Sequence, residues 1–317
     1  MALPNEIHPF HFAGAGQGYQ VANSLRFRQS NSAYLSRTPA SSSNQQKMTL
    51  SAWVKIGKPS GGRIDLLNAQ AFSNGSQRFY FYIGDSGIGV SYTAIQTASY
   101  ISVVSSDVFR DYGSWYHAVF AIDLSQSSYS NAVKLYVNGR QITSFSNTLY
   151  SSGYTPTINS SSYTHYINGY YDTNGGWTYG DGYIAEYNFI DGQQLTPSSF
   201  GQYDSNNVWQ PIKYTGTYGT NGFYLPFNDA TSTTTIGYDR QLGLTDSSKN
   251  NWTSSGISVT SGTTYDSMID SPTAYNDGST YYNRGSYAVL NPIDSGGKNQ
   301  LIDGNLTFYT QTGVGNM

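Results

Sequence analysis

Cysteine is absent from the 317-residue sequence, which excludes disulfide staples, thiolate metal sites and a cysteine nucleophile together. Charge is scarce too. The chain carries 16 Lys+Arg and 19 Asp+Glu, 11% of its residues, for a formal net charge of -3. An average globular domain has about 25% charged residues, and a nucleic-acid binder shows a basic stripe that this sequence lacks, so nucleic acid is not an expected partner. Apolar runs such as residues 118–122 fall far short of the roughly 18 residues of a membrane-spanning helix, and membrane insertion is not expected. The first 19 residues have neither a basic start nor the apolar stretch of a secretory signal. No long window shows a helical period of about 3.6 residues.

What is present is aromatic and turn-forming: 30 tyrosines and 34 glycines, with 15% aromatic and 38% hydrophobic residues overall. Disordered segments are poor in aromatics, so this composition predicts an ordered chain. Residues 49–56 alternate Leu50, Ala52, Val54 and Ile56 with Ser51, Trp53 and Lys55, the period of two that marks a half-buried strand. Residues 78–83 and 115–122 read as further strands, each followed by a turn signal. Asn138-Gly139 supplies the two positive-φ residues of a type I′ hairpin turn. That turn sets Val137 opposite Arg140 and Leu135 opposite Ile142. Residues 182–190 give another strand, and residues 195–200 read as one capped helical turn. Many short strands parted by Gly, Ser and Asn predict an all-β sandwich or barrel.

Strand signals thin out near residue 205. Beyond it the chain is turn-rich, with one apolar strand at residues 223–227, and residues 228–317 hold too few aliphatic side chains for a large core of their own. The expected division is an N-terminal arm over residues 1–19, a sandwich over 20–205, and a β- and loop-rich region over 206–317. That last region is expected to pack on the sandwich or on a neighbouring subunit.

Several motifs come in a recognisable order: Leu25-Arg26-Phe27, Ala33-Tyr34-Leu35, Ser51-Ala52-Trp53-Val54-Lys55, Trp115-Tyr116-His117-Ala118-Val119, the Asn138-Gly139 hairpin, and Gly182-Tyr183-Ile184-Ala185-Glu186-Tyr187. Over residues 20–205 the chain resembles laminin-G-like, concanavalin A-like lectin/glucanase domains. The resemblance implies a two-sheet antiparallel jelly roll. The head of the chain, residues 34–40 and residues 213–225 are similar to structural proteins of marine bacteriophages, cyanophages included. That likeness implies a non-enzymatic tail fibre or other external virion appendage, assembled in the host cytoplasm, with a lectin-like domain for host attachment. It further implies docking on other virion proteins through the extended arm, and a homo-oligomer, a trimer by analogy with fibres. A free carbohydrate-binding module and a glycoside hydrolase are the alternatives.

Jelly-roll glucanases place their two carboxylates on one Glu-x-Asp-x-Glu strand, and a retaining glycosidase needs them about 5–5.5 Å apart. Here the corresponding strand offers a lone Glu186, with Asp181 and Asp191 five residues away on either side. Glu186 and the mid-strand His117 are therefore expected to be structural. Laminin-G-like domains often hold one calcium at the rim with an acid and backbone carbonyls, which makes Asp85, Asp123, Asp172 and Asp181 weak candidates for Ca2+. Sugar recognition has the better chemistry. Sugars offer apolar C–H faces and hydroxyls, so their sites pair aromatic rings with amides and glycines. Residues 163–180 have that make-up, and Tyr170, Tyr171, Asp172, Asn174, Trp177 and Tyr179 are the candidate ligand-binding residues. The same side chains also suit a subunit interface.

Overall fold

The computed structural model describes residues 19–57, 62–70, 77–94, 98–171, 176–241, 249–260, 262 and 264–273. Most of the predicted arm, and Asp172 and Asn174 of the candidate loop, lie outside them. In chain order the strands are β1 (Ser24–Phe27), β2 (Tyr34–Arg37), β3 (Lys47–Ile56), β4 (Arg63–Gln70), β5 (Gln77–Gly84), β6 (Gly87–Ala94) and β7 (Ala98–Ser105). Next come β8 (Tyr116–Asp123), β9 (Val133–Val137), β10 (Arg140–Gln141), β11 (Phe145–Tyr150), β12 (Thr164–Ile167), β13 (Gly169–Tyr171), β14 (Trp177–Tyr179) and β15 (Gly182–Asp191). The last are β16 (Gly201–Tyr203), β17 (Trp209–Pro211), β18 (Phe223–Leu225), β19 (Thr253–Ser255) and β20 (Ser267–Met268).

Two antiparallel sheets of eight strands result, the jelly-roll sandwich that the sequence predicts. The first runs β10-β9-β8-β3-β15-β1-β20, with β18 also on β15, and the second runs β11-β7-β6-β5-β4-β12-β2-β19. Their facing sides form one core. Leu50, Ala52, Val54 and Ile56 of β3 meet Phe79, Phe81 and Ile83 of β5 in the same cluster. Phe81 and Phe120, one from each sheet, pack edge to face at 5.2 Å. The Tyr187 hydroxyl crosses the core to donate to the Leu66 carbonyl at 2.8 Å, so its buried oxygen is paired.

The β9–β10 hairpin has the expected register, Val137 opposite Arg140, with Asn138 at φ 48° and Gly139 at φ 77°. The turn at residues 195–200 differs from expectation. It is a 3-10 turn, Pro197–Ser199, and Thr196 makes no side-chain cap. Its hydroxyl pairs with Ser198 Oγ at 2.8 Å, a local bond that competes with capping.

The inner strands β3, β8 and β15 of the first sheet are buried on both faces, unlike the half-buried strands that alternation alone implies. Val119, Ala121, Tyr136 and Ile190 on its outer side pack under Phe200, Tyr214, Tyr218 and Tyr224. The chain returning after β15 thus covers the sheet. Beyond residue 205, β18 and β20 extend the first sheet and β19 the second, while Phe227, Ile236, Trp252 and Ile257 enter the main core. Among the described residues no helix is long and apolar enough to cross a membrane.

One irregularity in β15 bears on the site. Its pairing with β3 slips between Ala185 and Asn188, a β-bulge that places two consecutive side chains on one face. At the same point its other edge changes partner, from β1 at residues 182–185 to β18 at 187–189. Glu186, with φ 49°, occupies the gap.

The cross-sheet contact yields a direct test of the core. Phe120→Ala is expected to cost about 3–5 kcal/mol in chemical denaturation, the usual penalty for emptying an aromatic site that cannot collapse.

Candidate functional site

A cleft of about 1180 Å³ opens beside the β9–β10 hairpin. Four segments build it. Residues 106–109 follow β7 and 113–115 precede β8, residues 137–144 carry the hairpin turn, and the β16–β17 hairpin forms the opposite wall. Trp53 and Lys55 of β3 contribute the floor, and Pro272 closes one side. Three of the sequence's five tryptophans, Trp53, Trp115 and Trp209, therefore line one concavity. The rim holds Val108, Val208 and Tyr203, which are 53%, 51% and 46% exposed, among the polar side chains of Gln141, Thr143, Ser144, Asn207 and Gln210.

Each indole is fixed from behind. Trp209 lies against Gly139 and Gly201, where an added Cβ would come within 2.5 and 2.4 Å of its ring. No other residue leaves room for this approach. Its Nε1–H donates to His117 Nδ1 at 2.9 Å, and the His117 ring stacks on Trp53 at 4.9 Å. Trp115 donates from Nε1 to Asp270 Oδ1 at 3.2 Å. Its face carries the Lys55 ammonium at 5.0 Å, which is itself ion-paired to Asp270. Trp53 is 4% exposed, and its Nε1 has no hydrogen-bond partner among the described residues. An unpaired buried indole N–H costs free energy, and Trp53 is part of the cleft lining.

His117 looks at first like half of a nucleophilic dyad, because its Nε2 lies 2.8 Å from Ser51 Oγ. The tautomer forbids that role. Nδ1 accepts the Trp209 proton, so in the neutral ring Nε2 carries the hydrogen and Ser51 accepts it; no free lone pair remains to activate the hydroxyl. Burial pushes the His117 pKa down to about 3. His165 is likewise closed, with Nδ1 against the Tyr163 carbonyl at 3.0 Å and Nε2 accepting from Asn159 N at 2.9 Å. Burial, opposed by the Tyr163 bond and assisted by Arg37, holds it at about 3.

The candidate sugar loop is an ordered hairpin, β13 paired with β14, folded onto the second sheet. Trp177 stacks on Tyr34 at 5.8 Å and on Tyr179 at 6.0 Å, and meets Tyr166 and Tyr171 edge-on at 5.1 and 5.9 Å. Tyr170 points to a separate group. It lies over the Arg78 and Arg63 guanidiniums at 4.4 and 5.6 Å, beside Tyr80 and Tyr82. The six candidate residues are thus not one platform: Tyr171, Trp177 and Tyr179 belong to an aromatic packing cluster, Tyr170 to an arginine ladder, and Asp172 and Asn174 are outside the described residues.

Glu186 is 3% exposed and accepts hydrogen bonds from Tyr19 and Tyr224. No second carboxylate binds it among the described residues. Asp181 instead accepts from Gln29 N at 2.6 Å, and Asp191 from Asn159 Nδ2 at 3.1 Å. Asp123 is pulled both ways. Burial opposes its ionisation, but Ser125, Lys47 and Gln126 outweigh this and hold its carboxyl below the ordinary range. Calcium wants six to eight oxygens, roughly, whereas Asp123 is paired with Lys47 at 3.0 Å. No three His, Asp or Glu side chains converge among the described residues, and Asp172 lies outside them.

Sequence reasoning missed the cleft. In sequence Trp115 reads as part of a strand and Trp209 falls in a turn-rich stretch, and only the tertiary fold brings them together. The one available signal was the small number of tryptophans, since a residue this costly to bury and this rare is worth locating as a set.

Residues 29–199, more than half of the chain, match the family described as the concanavalin A-like lectin/glucanases superfamily. Similar solved structures include a native heptameric SAP-like pentraxin from Limulus polyphemus, at 12% identity and TM-score 0.40, covering 56% of this chain and 80% of that one. Domains LG4-5 of the mouse laminin α1 chain match at 13% identity and TM-score 0.40, over 64% of this chain and 48% of the laminin chain. The CBM40 of a Ruminococcus gnavus IT-sialidase, bound to α2,3 sialyllactose, matches at 15% identity and TM-score 0.33, over 44% and 75% of the two chains. No curated protein matches.

The two buried histidines set a pH dependence with a definite sign. Their folded pKa values of about 3 lie below the unfolded value of 6.5, so their contribution to stability is full above about pH 6.5 and is lost as pH falls toward 3. By NMR, the ring signals of His117 and His165 should stay unmoved from about pH 8 to about pH 5, where an ordinary histidine titrates. Each signal is identified by its loss in His117→Asn or His165→Asn.

Proposed function

The chain belongs to the concanavalin A-like lectin/glucanases superfamily, and from that premise we propose that it is a non-catalytic, glycan-binding module that uses the three-tryptophan cleft. One observation carries the reading: Trp53, Trp115 and Trp209 line a single open concavity with neutral amides and hydroxyls on its rim. Rigid aromatic faces pack on sugar C–H surfaces, and amide and hydroxyl side chains sort hydroxyls by geometry. Few ionised groups stand at the rim, chiefly Asp107 and Arg140, which suits a neutral or weakly charged glycan. The hairpin residues Tyr171, Trp177 and Tyr179 are assigned to holding β13–β14 on the sheet, because their rings are spent on one another and on Tyr34 and Tyr166.

Hydrolysis has no support in the carboxyl geometry. Glu186 is enclosed by two tyrosines, and the Ser51–His117 pair has the wrong tautomer for a base.

We further propose that the module stands on the outside of a phage particle, on a tail fibre or similar appendage, and attaches it to host-surface glycan. What supports this is the similarity of residues 1–10, 34–40 and 213–225 to marine phage structural proteins, together with the low charge. In this reading residues 1–19 dock on other virion proteins, and the chain assembles as a homo-oligomer in the host cytoplasm. The reading uses no calcium.

Two experiments test these proposals. On a glycan array followed by calorimetry, Tyr203→Ala and Trp115→Ala should each weaken binding about tenfold or more, the effect of losing about 1.4 kcal/mol, while Trp177→Ala keeps affinity within a few fold. Loss of binding in Trp177→Ala alone would return the site to the hairpin. Mass spectrometry of purified particles should find the chain as a stoichiometric component; its absence there would remove the virion role and leave the binding module.

A further inference from the structure

Three short oxygen contacts enclose the Glu186 side chain. Tyr19 Oη lies 2.9 Å from Glu186 Oε1, Tyr224 Oη lies 2.8 Å from Oε2, and the two phenol oxygens lie 2.8 Å from each other. Each such contact needs one hydrogen. With Glu186 ionised, the two tyrosines supply two hydrogens for three contacts, and one contact becomes lone pair against lone pair. With Glu186 protonated there are three hydrogens for three contacts. We infer that Glu186 is held as a neutral carboxylic acid, closing a ring in which its Oε2–H donates to Tyr224, Tyr224 donates to Tyr19 and Tyr19 donates to Oε1, and that this ring is a proton-dependent latch on the strap at residues 19–21.

The surroundings favour the neutral form. Glu186 is 3% exposed, and its backbone at φ 49° fills the break where β15 changes partner from β1 to β18. Such a conformation is strained in a non-glycine residue and is kept only where neighbours impose it. Every group facing the carboxyl can be named. From β15, Asn188 Nδ2 donates at 3.1 Å to the Glu186 backbone carbonyl, and Tyr218 Oη donates at 2.7 Å to Asn188 Oδ1. From β18 comes Tyr224, whose own N–H is held by Asp239 at 3.0 Å; from the strap comes Tyr19. Lys213 is the nearby cation. It lines an outer cavity of about 670 Å³ together with Tyr19, Tyr224, Asp229 and Arg240, and the last two are paired with each other. Burial is the dominant influence and pushes the Glu186 pKa up to about 7, against the lowering effects of the two phenols and Lys213.

The strap has further ties at Gln20 and Val21. Val21 exchanges bonds with Thr273 Oγ1 at 3.0 and 3.1 Å, and packs with Trp53 and Ala185. Tyr19 ties the strap to Glu186 and Tyr224 of the sheet, and the ring decides how firmly that tie holds. The sign follows from the raised value: the latch contributes fully below the unfolded carboxyl pKa of about 4.3, and its contribution is lost as pH rises through about 7.

The sequence makes the test unusually clean, because it contains only two glutamates, Glu6 and Glu186. In protein labelled with 13C at the glutamate carboxyl, NMR should show two resonances. The one absent from Glu186→Gln should titrate near 7, well above the ordinary value of about 4.3. Glutamine keeps the ring without needing a proton, since its Nε2–H donates to Tyr224 and its carbonyl accepts from Tyr19. Glu186→Gln should therefore melt above the parent at about pH 8, with the difference shrinking as pH falls and closing below about pH 4. Tyr19→Phe should break the ring while leaving Glu186 in place, and should move its titration. A Glu186 resonance titrating at or below the ordinary value, or a glutamine variant that fails to fold or melts below the parent at alkaline pH, would overturn the latch. Neither outcome bears on glycan binding at the cleft.

Discussion

The hydrogen bond from the Trp209 indole to His117 Nδ1 is the contact on which the site depends. It ties a hairpin of the returning chain to β8, an inner strand of the first sheet. It also decides which ring nitrogen of His117 bears the proton, and so turns what could be a base into a packing element. A depressed histidine pKa is a cost accepted in exchange for a fixed geometry: a ring that stayed charged would have donors at both nitrogens and could not accept from Trp209. The wall of the cleft is therefore tied to the sheet behind it, and an aromatic surface positioned beforehand binds with a smaller ordering penalty.

This arrangement follows from covering a sheet on both sides. A strand such as β3, buried at almost every position, cannot leave Ser51, Lys55 or Thr49 unpaired. Each is answered by a partner brought from far along the chain: His117, Asp270 and the Gln193 carbonyl. Tyrosine suits such a second layer, because its ring buries apolar area while its hydroxyl reaches a carbonyl or carboxyl. The same economy that yields a nearly uncharged surface leaves Glu186 enclosed by phenols, with a proton as its cheapest neutraliser.

How much of this could be read from the sequence depends on range. The Asn138-Gly139 hairpin and the inward face of β3 were legible because a two-residue turn and a period of two are local. The bulge at Ala185–Glu186 was not, since it arises where the partner of β15 changes from β1 to β18, strands that lie far before and well after it in the chain. Residues 163–180 have the composition of a sugar-binding loop, and composition cannot tell a ring offered to solvent from one stacked on Tyr34. The cleft was least legible of all. Trp115 and Trp209 become neighbours only because the segment after β15 folds back across the sheet, and no periodicity encodes that return.

The central claim is that the three-tryptophan cleft is where ligand is met. Indole N–H signals in a 15N-labelled protein report all five tryptophans at once, and titration with the glycan selected on an array tests the claim most directly. The account expects the Trp53, Trp115 and Trp209 signals to shift together, with Trp53 moving most if its unpaired N–H gains an acceptor, while Trp177 and Trp252 stay in place. A shift confined to Trp177, with the other three unmoved, would contradict it.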